Sequence, residues 1–468
     1  MTRQVDVAIR GAGSAGLYAL GQVRKATDNW VLIDGGELGT TCARVGCMPS
    51  KVAIQIGEDM HRRNIFDREG IEGGDSLVLN QADAMEHVQD LRDVFVDKVL
   101  STSTDEMSEE QLIAGNARFV EPGVLEVGGE RIEANKVIIA TGSTPLVPQA
   151  WEAFRDRILT TDEFFEQETL PESVAVIGLG VIGLELGQAL HRFGVDVTGI
   201  DQAETIGGLQ DPVARDTAVE LIGREFPLWL GEAAEVSEAG DGRLKIKAGD
   251  NEVVVDKLLV SMGRVPNLKE LNLEVLGVEL NDRGVPVFDE HTMQIGDLPV
   301  FIAGDVTGDR AILHEAGDEG RIAGFNAVQE TPVAFARKTP LSVTFCDPNI
   351  VTVGADWNEL DESAIAIGEV KLGLLGRAII MGRNRGVLRV YADKTDGRIL
   401  GATFVAALAE HLGHLLSWAI SQNLTVFDLL GMPFYHPTME EGLQAALYDL
   451  KGRFDVEFDH PVELRPRK

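Results

Sequence analysis

A repeated segment is the feature that most restricts the fold of this chain. Residues 5–16 (VDVAIRGAGSAG) and residues 174–183 (VAVIGLGVIG) are each a short apolar run that breaks into G-x-G-x-x-G and continues as a helical pattern. A second apolar run follows each copy and ends at an acid, Asp34 or Asp201, 18 residues beyond the third glycine. One glycine pattern alone is weak evidence. Because the whole order recurs, we predict two dinucleotide-binding units rather than two ordinary βαβ turns.

Each glycine of the pattern has its own physical role. The first makes a tight turn, the second lets the backbone approach a pyrophosphate, and the third lets the helix pack on the strand. The phosphates bind at the helix N-terminus, and the acid accepts a hydrogen bond from a ribose hydroxyl. The candidate binding residues are Gly11, Gly13, Gly16 and Asp34 in the first copy and Gly178, Gly180, Gly183 and Asp201 in the second.

The residues that follow Asp201 indicate which coenzyme the second site prefers. They are Gln202, Ala203 and Glu204. A 2′-phosphate would need an arginine nearby and would be repelled by an acid. The second site is therefore predicted to prefer NAD over NADP.

The first copy departs from the pattern at Arg10. This charged residue occupies the last strand position before the glycines, where a side chain normally packs in the sheet. Two interpretations are open. Either the stem is buried and the head reaches a polar group, or local stability is reduced.

Two later strand patterns end in residues that suit a ligand site. Residues 297–305 (DLPVFIAGD) end at Asp305, and residues 134–143 (ANKVIIATGS) turn at Gly142. A carboxylate just beyond a parallel strand points into a ligand crevice, although a capped loop would give either pattern. From about residue 340 the rhythm changes to strands separated by turns, followed by amphipathic helices at 409–422 and 438–450. We expect an α/β protein with two Rossmann-like units and a C-terminal α+β domain.

Length and charge narrow the function further. The 468 residues suffice for about three domains. Lys and Arg number 42 and Asp and Glu 75, so the net charge is −33. Nucleic acids and anionic membranes attract basic surfaces, and we expect neither as a partner. The charge indicates a strongly solvated surface, for which a salt-adapted host is one cause, or steering of a basic partner.

The apolar runs and the cysteines bear on compartment and chemistry. No run reaches about 18 apolar residues, and the N-terminus lacks the apolar region of a signal peptide, so we expect a cytoplasmic protein. Three cysteines cannot form a structural framework. Two of them, Cys42 and Cys47, lie five positions apart, which points to redox chemistry or metal binding. A metal would need further ligands, and the nearest histidine is His61, so no metal is expected.

The segment GTTCARVGCMPSK carries the cysteine pair. Five residues along an ideal helix separate two Cα atoms by roughly 8.6 Å, whereas a disulfide needs about 4.4–6.8 Å. A Cys42–Cys47 bond therefore requires a distorted turn, which Gly46 allows. Such a bond should be strained and easily reduced. The alternative is two unrelated buried thiols.

Several motifs together resemble those of the flavoprotein pyridine nucleotide-disulfide oxidoreductases, and of the dihydrolipoamide dehydrogenases most closely. They extend over essentially the whole chain: GAGSAG (11–16), GTTCARVGCMPSK (39–51), ATGS (140–143), GLGVIGLE (178–185), GRVPN (263–267), AGD (303–305) and HPTMEE (436–441). The resemblance implies FAD in the first site and NAD in the second. It also implies an FAD-binding domain at 1–145 that is completed by 266–338, an NAD-binding domain at 146–265, and a dimerisation domain at 339–468 that forms a homodimer.

The resemblance also implies roles for individual residues. Cys42 matches the thiol that meets the dithiol substrate, and Cys47 matches the thiol that faces the flavin in a redox-active disulfide. Lys51 matches a lysine near the flavin, with Glu185 as its carboxylate partner. The remaining cofactor contacts that it implies are Ala117, Thr141, Gly142, Ser143, Asp305 and Gly263.

The motif HPTMEE supplies the implied base, His436, which in the family dimer comes from the other subunit. A thiol near pKa 8.5 must lose its proton to attack a disulfide, so a base is needed. Thr438 and Glu441 also fit the T-x-x-E capping box of a helix. In the family pattern Glu441 orients the histidine instead, and the two roles conflict in detail.

Three positions depart from the family: Arg44 stands where Asn is usual, Tyr435 where another His is common, and Cys346 where Thr or a small residue is usual. Arg44 and Tyr435 bear on the substrate rather than on the reaction type. The leading interpretation is oxidation of a dihydrolipoyl group or another small dithiol with NAD. A glutathione-type reductase lacks support because 2′-phosphate arginines are absent. A mercuric reductase would need vicinal C-terminal cysteines, and a soluble transhydrogenase needs no redox disulfide.

Two further interpretations concern the setting of the reaction. The chain could act as a component of a 2-oxoacid dehydrogenase or glycine cleavage complex, where its acidic surface would hold a basic binding domain. Alternatively, it could be a diaphorase-like flavoprotein without dithiol turnover.

Overall fold

The protein is a mixed α/β structure built on three large sheets. Its computed structural model describes residues 2–464 and 466–467. The central strands of the two parallel sheets are largely buried on both faces, as expected from their nearly continuous apolar sequences. Within the described residues, no helix is long and apolar enough to cross a membrane.

The first copy of the repeat opens the first sheet. Its strands are β1 (Thr2–Arg10), β2 (Trp30–Asp34), β3 (Leu112–Ala114), β4 (Arg118–Glu121), β5 (Val124–Val127) and β6 (Glu130–Ile139), and a short strand β7 (Ser143–Pro145) follows. The helices of this part are α1 (Ser14–Val23), α2 (Thr41–Val45), α3 (Cys47–His61), α4 (Phe66–Glu69) and α5 (Gln81–Ser103). The order β3-β2-β1-β6 is parallel, and β5 and β4 extend it as an antiparallel meander.

The second copy builds a second parallel sheet in the order β11-β10-β9-β15-β8. Strands of this part are β8 (Ile158–Leu159), β9 (Ser173–Ile177), β10 (Asp196–Asp201), β11 (Leu228–Leu230), β12 (Glu235–Glu238), β13 (Leu244–Ala248), β14 (Asn251–Val255), β15 (Lys257–Val260) and β16 (Arg264–Pro266). Its helices are α6 (Thr161–Phe164), α7 (Val181–Arg192) and α8 (Pro212–Ile222). Strands β12–β14 form a separate antiparallel sheet.

The chain then returns to the first sheet. Strand β17 (Val300–Ile302) pairs with β6, and helix α9 (Leu313–Ala327) packs against α1. Glycines permit this packing, since a Cβ atom at Gly324 would lie 2.3 Å from the carbonyl oxygen of Ala19. With β17 in place, both parallel sheets have the same strand arrangement, so the repeat extends well beyond its glycines. Strands β7 and β16 pair where the chain leaves and re-enters the first unit.

The C-terminal part is an antiparallel sheet covered by helices. Its strands, in the order β18-β19-β22-β21-β20, are β18 (Leu341–Thr344), β19 (Asn349–Gly354), β20 (Ile365–Lys371), β21 (Val387–Asp393) and β22 (Ile399–Ala406). Its helices are α10 (Gly376–Ile380), α11 (Ala409–Ser421), α12 (Val426–Leu430) and α13 (Glu440–Lys451). Short 3₁₀ turns occur throughout the chain, at Arg62–Ile65, Gly74–Ser76, Gln149–Arg157, Lys269–Leu271, Leu273–Leu276, Asp305–Thr307, Trp357–Glu359 and Leu372–Leu374.

The predicted fold class is confirmed: two Rossmann-like sheets precede an α+β unit. One detail is wrong, because the last long helix begins at Glu440 and not at 438, with Met439 at its N-cap. The predicted domain limits at 145, 265 and 338 stay a prediction.

Candidate active site

The three glycines of the first copy have different surroundings. Gly11 has φ +116°, and a Cβ atom there would lie 2.2 Å from the carbonyl oxygen of Ala140. A Cβ atom at Gly16 would lie 1.9 Å from the carbonyl oxygen of Gly11. At Gly13 nothing lies within 4 Å. The first and third glycines are therefore required by the protein itself, whereas the second faces open space at the start of α1.

The second copy repeats this arrangement. A Cβ atom at Gly178 would lie 2.5 Å from the carbonyl oxygen of Ser261, and one at Gly183 would lie 1.9 Å from that of Gly178. Nothing lies within 4 Å of the corresponding position at Gly180, which precedes α7. Both copies thus keep a space that a side chain would fill, and this fits two bound dinucleotides.

The two acids hold equivalent positions. Asp34 accepts hydrogen bonds from the backbone N–H groups of Ala12 at 2.5 Å and Gly36 at 2.7 Å. Asp201 accepts from Leu179 at 2.6 Å and Ala203 at 2.8 Å. These bonds fix each carboxylate beside the glycine turn. A carboxylate has about four acceptor sites, so each retains capacity for a ribose hydroxyl.

The structure supports the first interpretation of Arg10, in which the stem is buried and the head reaches a polar group. The residue is buried, and its Nη2 donates to Oδ1 of Asn116 at 2.7 Å, while Nη1 lies 3.5 Å from the carbonyl oxygen of Ile33. Its head therefore reaches polar groups at the ends of neighbouring strands. The sequence did not identify Asn116, because a loop amide carries no motif.

The later candidates meet where β6 and β17 end side by side. Ser143 donates from Oγ to Oδ2 of Asp305 at 3.0 Å. Arg264 donates from Nε to Oγ of Ser143 at 2.8 Å and from Nη2 to the carbonyl oxygen of Ser143 at 2.7 Å. Asp305 is thereby linked to the paired strands β7 and β16. The sequence did not predict this role of Arg264, although Arg264 belongs to GRVPN, one of the motifs that carry the resemblance.

Three other predicted contacts line the same region. Thr141 donates from Oγ1 to the carbonyl oxygen of Asn267 at 2.8 Å. Gly142 and Gly263 have φ angles of +67° and +103°, which favour glycine. Ala117, by contrast, is buried beside Asn116 near the end of β2.

The cysteine pair lies at a break between two helices. Cys42 belongs to α2, Cys47 begins α3, and Gly46 between them has φ −138° and ψ −120°. A Cβ atom at Gly46 would lie 2.9 Å from the carbonyl oxygen of Thr41, so the turn is tight. Both thiols are free in this structure, and a hydrogen bond joins them.

The two thiols differ in acidity. Cys47 is exposed, and the hydrogen bond from Cys42, together with the charge of Lys51, lowers its pKa to about 7. The same hydrogen bond and burial raise the pKa of Cys42. Cys47 is therefore the thiolate of the pair near neutral pH. The arrangement does not fit two unrelated buried thiols.

A half-buried ion pair lies next to the cysteines. Nζ of Lys51 is 2.7 Å from Oε2 of Glu185, whose side chain is almost fully buried. The other oxygen of Glu185 accepts from the backbone N–H of Phe345 at 2.9 Å, and Lys51 stands 4.8 Å above the Phe345 ring. Helix α3, helix α7 and the C-terminal unit therefore hold this cation jointly. The predicted Lys51–Glu185 partnership is present.

Glu441 combines the two roles that the sequence placed in conflict. Its Oε1 lies 2.8 Å from Nδ1 of His436, and its Oε2 accepts from the backbone N–H of Thr438 at 3.0 Å. The predicted capping box is wrong in its other half, because the hydroxyl of Thr438 donates to the carbonyl oxygen of Tyr435. Each carboxylate oxygen thus has its own partner.

The candidate base is separated from the cysteines within one chain. The side chain of His436 is 81% exposed. Over residues 2–464 and 466–467, no hydrogen bond or ion pair joins His436 or Glu441 to Cys42 or Cys47. In the same described residues no group of three or more His, Cys, Asp and Glu side chains is placed to hold a metal ion.

Family models and relatives of known sequence match most of this chain. A family model described as pyridine nucleotide-disulphide oxidoreductase matches residues 5–330, and the dimerisation-domain model of the same family matches residues 341–447. The chain is 28% identical over 473 residues to dihydrolipoyl dehydrogenase 2 of Haloarcula marismortui, covering 97% of this chain and 98% of the relative. It is 30% identical over 454 residues to mercuric reductase of Lysinibacillus sphaericus, covering 94% and 82%. Its fold is similar to that of a Cu(II) complex of the HOCl-induced flavoprotein disulfide reductase RclA from Escherichia coli, with a TM-score of 0.82 at 22% identity, covering 96% of this chain and 99% of that one.

Proposed function

Because this chain belongs to the pyridine nucleotide-disulphide oxidoreductase family, we propose that it is a dihydrolipoyl dehydrogenase, which oxidises a dithiol with NAD. Enzymes of this family use FAD and NAD(P)H. The open spaces at Gly13 and Gly180 fit one dinucleotide each. The glycine turn at Gly11–Gly13 and Asp34 would hold FAD, which would supply the two-electron redox chemistry that links the dithiol centre to the nicotinamide.

The pairing of Cys42 and Cys47 across the tight turn at Gly46, with the charge of Lys51 nearby, is the observation that carries the proposal. In the oxidised enzyme, a substrate thiolate attacks Sγ of Cys42, the Cys42–Cys47 bond breaks, and Cys47 leaves as a thiolate. The charge of Lys51, which favours the thiolate form of Cys47, stabilises this leaving group. The second substrate thiolate then displaces Cys42, so the substrate gains a disulfide and the enzyme gains two electrons.

Each substrate thiol must lose a proton before it attacks. His436 of the partner subunit takes the proton in this proposal, because His436 is exposed on the dimerisation unit and, within the described part of its own chain, has no hydrogen bond or ion pair to the cysteines. Oε1 of Glu441 holds Nδ1 of the ring and leaves Nε2 to act as the base. The active form is therefore a homodimer.

The coenzyme preference is part of the same proposal. Asp201 is fixed at the end of β10, and the exposed Glu204 follows three residues later. An acid at this edge repels a 2′-phosphate. NAD is therefore the proposed acceptor, and replacing Asp201 by Ala together with a nearby Arg should shift the preference toward NADP.

The mercuric reductase relatives supply a second candidate. It is less well supported, since the sequence contains no cysteine after Cys346 to deliver the metal ion. A diaphorase-like flavoprotein is the third candidate.

A separate question is whether the chain binds a 2-oxoacid dehydrogenase or glycine cleavage complex. Pull-down with a basic subunit-binding domain would test this.

One panel of assays on the purified FAD-loaded enzyme separates these candidates. We expect dihydrolipoamide with NAD to give turnover well above that with NADP, and Hg(II) with NADH or NADPH to give none. Cys42→Ser should abolish dithiol oxidation but keep electron transfer from NADH to an artificial acceptor. Turnover of Hg(II), or of the artificial acceptor alone, would reject the dihydrolipoyl assignment.

A further inference from the structure

Arg10 is a buried cation in the first dinucleotide site, and the second site has nothing like it. It is 9% exposed and directly precedes Gly11 at the end of β1. The equivalent residue of the second copy, which precedes Gly178 at the end of β9, is the buried Ile177. The fold of this unit therefore accepts an apolar residue here. The charge of Arg10 needs an explanation other than the packing of the strand.

The protein does not neutralise this charge. Arg10 makes one good hydrogen bond, to the neutral amide of Asn116, and its buried Nε has no partner. Among the described residues no carboxylate lies within ion-pair distance of it. Burial lowers the pKa of Arg10, and the more distant charges of Asp34 and Glu270 only partly oppose this. A buried cation without a counter-ion is costly to a fold.

The position of the guanidinium group is well defined. It lies between the carbonyl oxygen of Ile33, at the end of β2, and Asn116, in the loop between β3 and β4. Asn116 in turn contacts the next turn, because a Cβ atom at Gly35 would lie 2.0 Å from its Oδ1. Gly35 directly follows Asp34. The carbonyl oxygen of Ile33 also accepts from the backbone N–H of Gly11 at 2.8 Å, so the cation lies beside the first glycine turn as well as beside the turn that follows Asp34.

We propose that Arg10 is an additional FAD-binding residue, whose positive charge is offset by the diphosphate of the cofactor rather than by a protein carboxylate. The diphosphate is expected at the turn Gly11–Gly13, which begins one residue after Arg10. In this buried setting the attraction between the two charges is weakly screened. The inference rests on the proposed placement of FAD in the first site and does not depend on which dithiol the enzyme oxidises.

The proposal predicts opposite effects on cofactor affinity and on the stability of the flavin-free protein. Arg10→Met removes the charge and keeps a long side chain. It should weaken FAD binding by about 10- to 100-fold, from the Coulomb energy of one charge pair at the effective dielectric of a partly buried site. The flavin-free variant should unfold at the same temperature as the flavin-free wild type or at a higher one, because a buried unpaired charge is gone.

The experiment measures FAD release by flavin fluorescence after dilution of the holoenzyme, FAD rebinding to flavin-depleted protein, and thermal unfolding of the flavin-depleted protein. Arg10→Lys, which keeps the charge, should restore most of the affinity. NADH binding at the second site should be unchanged in both variants. Arg131→Met is the matched control, because Arg131 pairs with Thr2 at the opposite end of β1 and is exposed.

Three results would overturn the proposal. One is unchanged FAD affinity in Arg10→Met. Another is a flavin-free Arg10→Met protein that fails to fold or unfolds at a lower temperature, since Arg10 would then be structural. The third is equal loss in Arg10→Lys and Arg10→Met, since charge would then not be the cause. Failure of dithiol turnover in a wild type that binds FAD tightly would reject the proposed function and leave this inference intact.

Discussion

His436 and Glu441 form the unit on which dithiol oxidation should depend. Dithiol oxidation requires a base, whereas transfer from NADH to an artificial acceptor bypasses the cysteines. A positioned base contributes about 10²–10⁴-fold to a rate. His436→Gln should therefore reduce dihydrolipoamide oxidation by about that factor and leave diaphorase activity nearly unchanged. Steady-state assays of both activities on the same preparation check this, and equal loss of both would remove the support for the base.

Glu441 should show a smaller effect of the same kind. Its hydrogen bond to His436 and its bond to the N–H of Thr438 both lower the pKa of Glu441, so it is ionised near neutral pH and supports a protonated ring. Glu441→Gln keeps the shape and removes the charge. We expect a selective loss of dithiol oxidation with little change in melting temperature. A variant that loses stability without a selective kinetic effect would show that Glu441 acts only at the start of α13.

The acidity of Cys47 gives a prediction in pH. Its pKa of about 7 means that the thiolate fraction rises as pH increases through 7. Alkylation of Cys47 in the reduced enzyme should follow this midpoint. Cys42→Ala removes the donor that is the main cause, so the midpoint should move up toward about 8.5, the ordinary value for cysteine.

Cys42→Ser is the matched variant for this measurement, because a hydroxyl can replace the thiol as donor and should keep most of the shift. Mass spectrometry after iodoacetamide treatment identifies the modified residue. Cys346 is buried and its pKa is raised by burial, so it should stay unmodified in every variant. An unchanged midpoint in Cys42→Ala would show that the hydrogen bond does not control the acidity of Cys47.

At this scale the sequence predicted the residues with a motif and missed those whose role depends on position alone. The glycines, Asp34 and Asp201 lie in the repeated pattern and have equivalent surroundings in both copies, and Lys51 and Glu185, which the resemblance implied, form an ion pair. Asn116 and Phe345 contact Arg10, Glu185 and Lys51 across long sequence separations. Such contacts exist only once the sheets are assembled, so no local pattern announces them.

At the scale of elements, the glycine turns before α1 and α7 each contain a glycine that packing requires and another that we expect only cofactor binding to require. Gly183 packs against the carbonyl oxygen of Gly178, and Gly180 faces open space with φ −70°, which suits any residue. Gly183→Ala should lower the melting temperature or prevent folding, because the helix must move off the strand. Gly180→Ala should change stability by no more than about 0.5 kcal/mol, as for a surface substitution.

Binding should respond in the opposite way. A methyl group at Gly180 enters the space kept for the pyrophosphate, so the KM for NADH should rise about tenfold or more, since close backbone approach is the role of the second glycine. Thermal unfolding and NADH kinetics on the two variants check the pair. A destabilised Gly180→Ala protein with normal KM would contradict this division of roles.

The same scale shows why some elements were predicted well and others were not. The strands at Trp30–Asp34 and Asp196–Asp201 agree with their apolar runs because both faces are buried. Strand β20 (Ile365–Lys371) has a weak strand pattern, since its sequence IAIGEVK mixes apolar and charged residues around Gly368, which packs directly against α13. The start of α13 was misplaced because Glu441 serves His436 as well as the helix.

At the scale of the whole molecule, one chain combines two candidate dinucleotide sites, a cysteine pair and a candidate base. Two similar parallel sheets each end in a glycine turn and an acid, and the loop before α13 in the C-terminal unit carries the exposed histidine. The cysteine pair and the Lys51–Glu185 ion pair lie where α3, α7 and the C-terminal unit meet. Substitutions at this junction should therefore affect the chemistry and the assembly together, whereas those at the glycine turns affect one cofactor each.

The last prediction concerns charge. Each chain carries −33, so a homodimer brings together about twice that charge. Self-repulsion on this scale destabilises the compact and assembled states, and salt shortens the screening length from about 10 Å at 0.1 M to about 3 Å at 1 M. The melting temperature should therefore rise with NaCl or KCl between 0.05 and about 1 M, by about 1 °C for each kcal/mol of repulsion removed from a chain of 468 residues. The dimer fraction in analytical ultracentrifugation should rise in parallel.

NaCl and KCl at equal ionic strength should act alike if screening is the cause, and a neutral osmolyte such as sucrose should not reproduce the gain in dimer. A melting temperature that stays flat or falls over this range would show that the negative charges are already well separated, and that the acidic surface has another role.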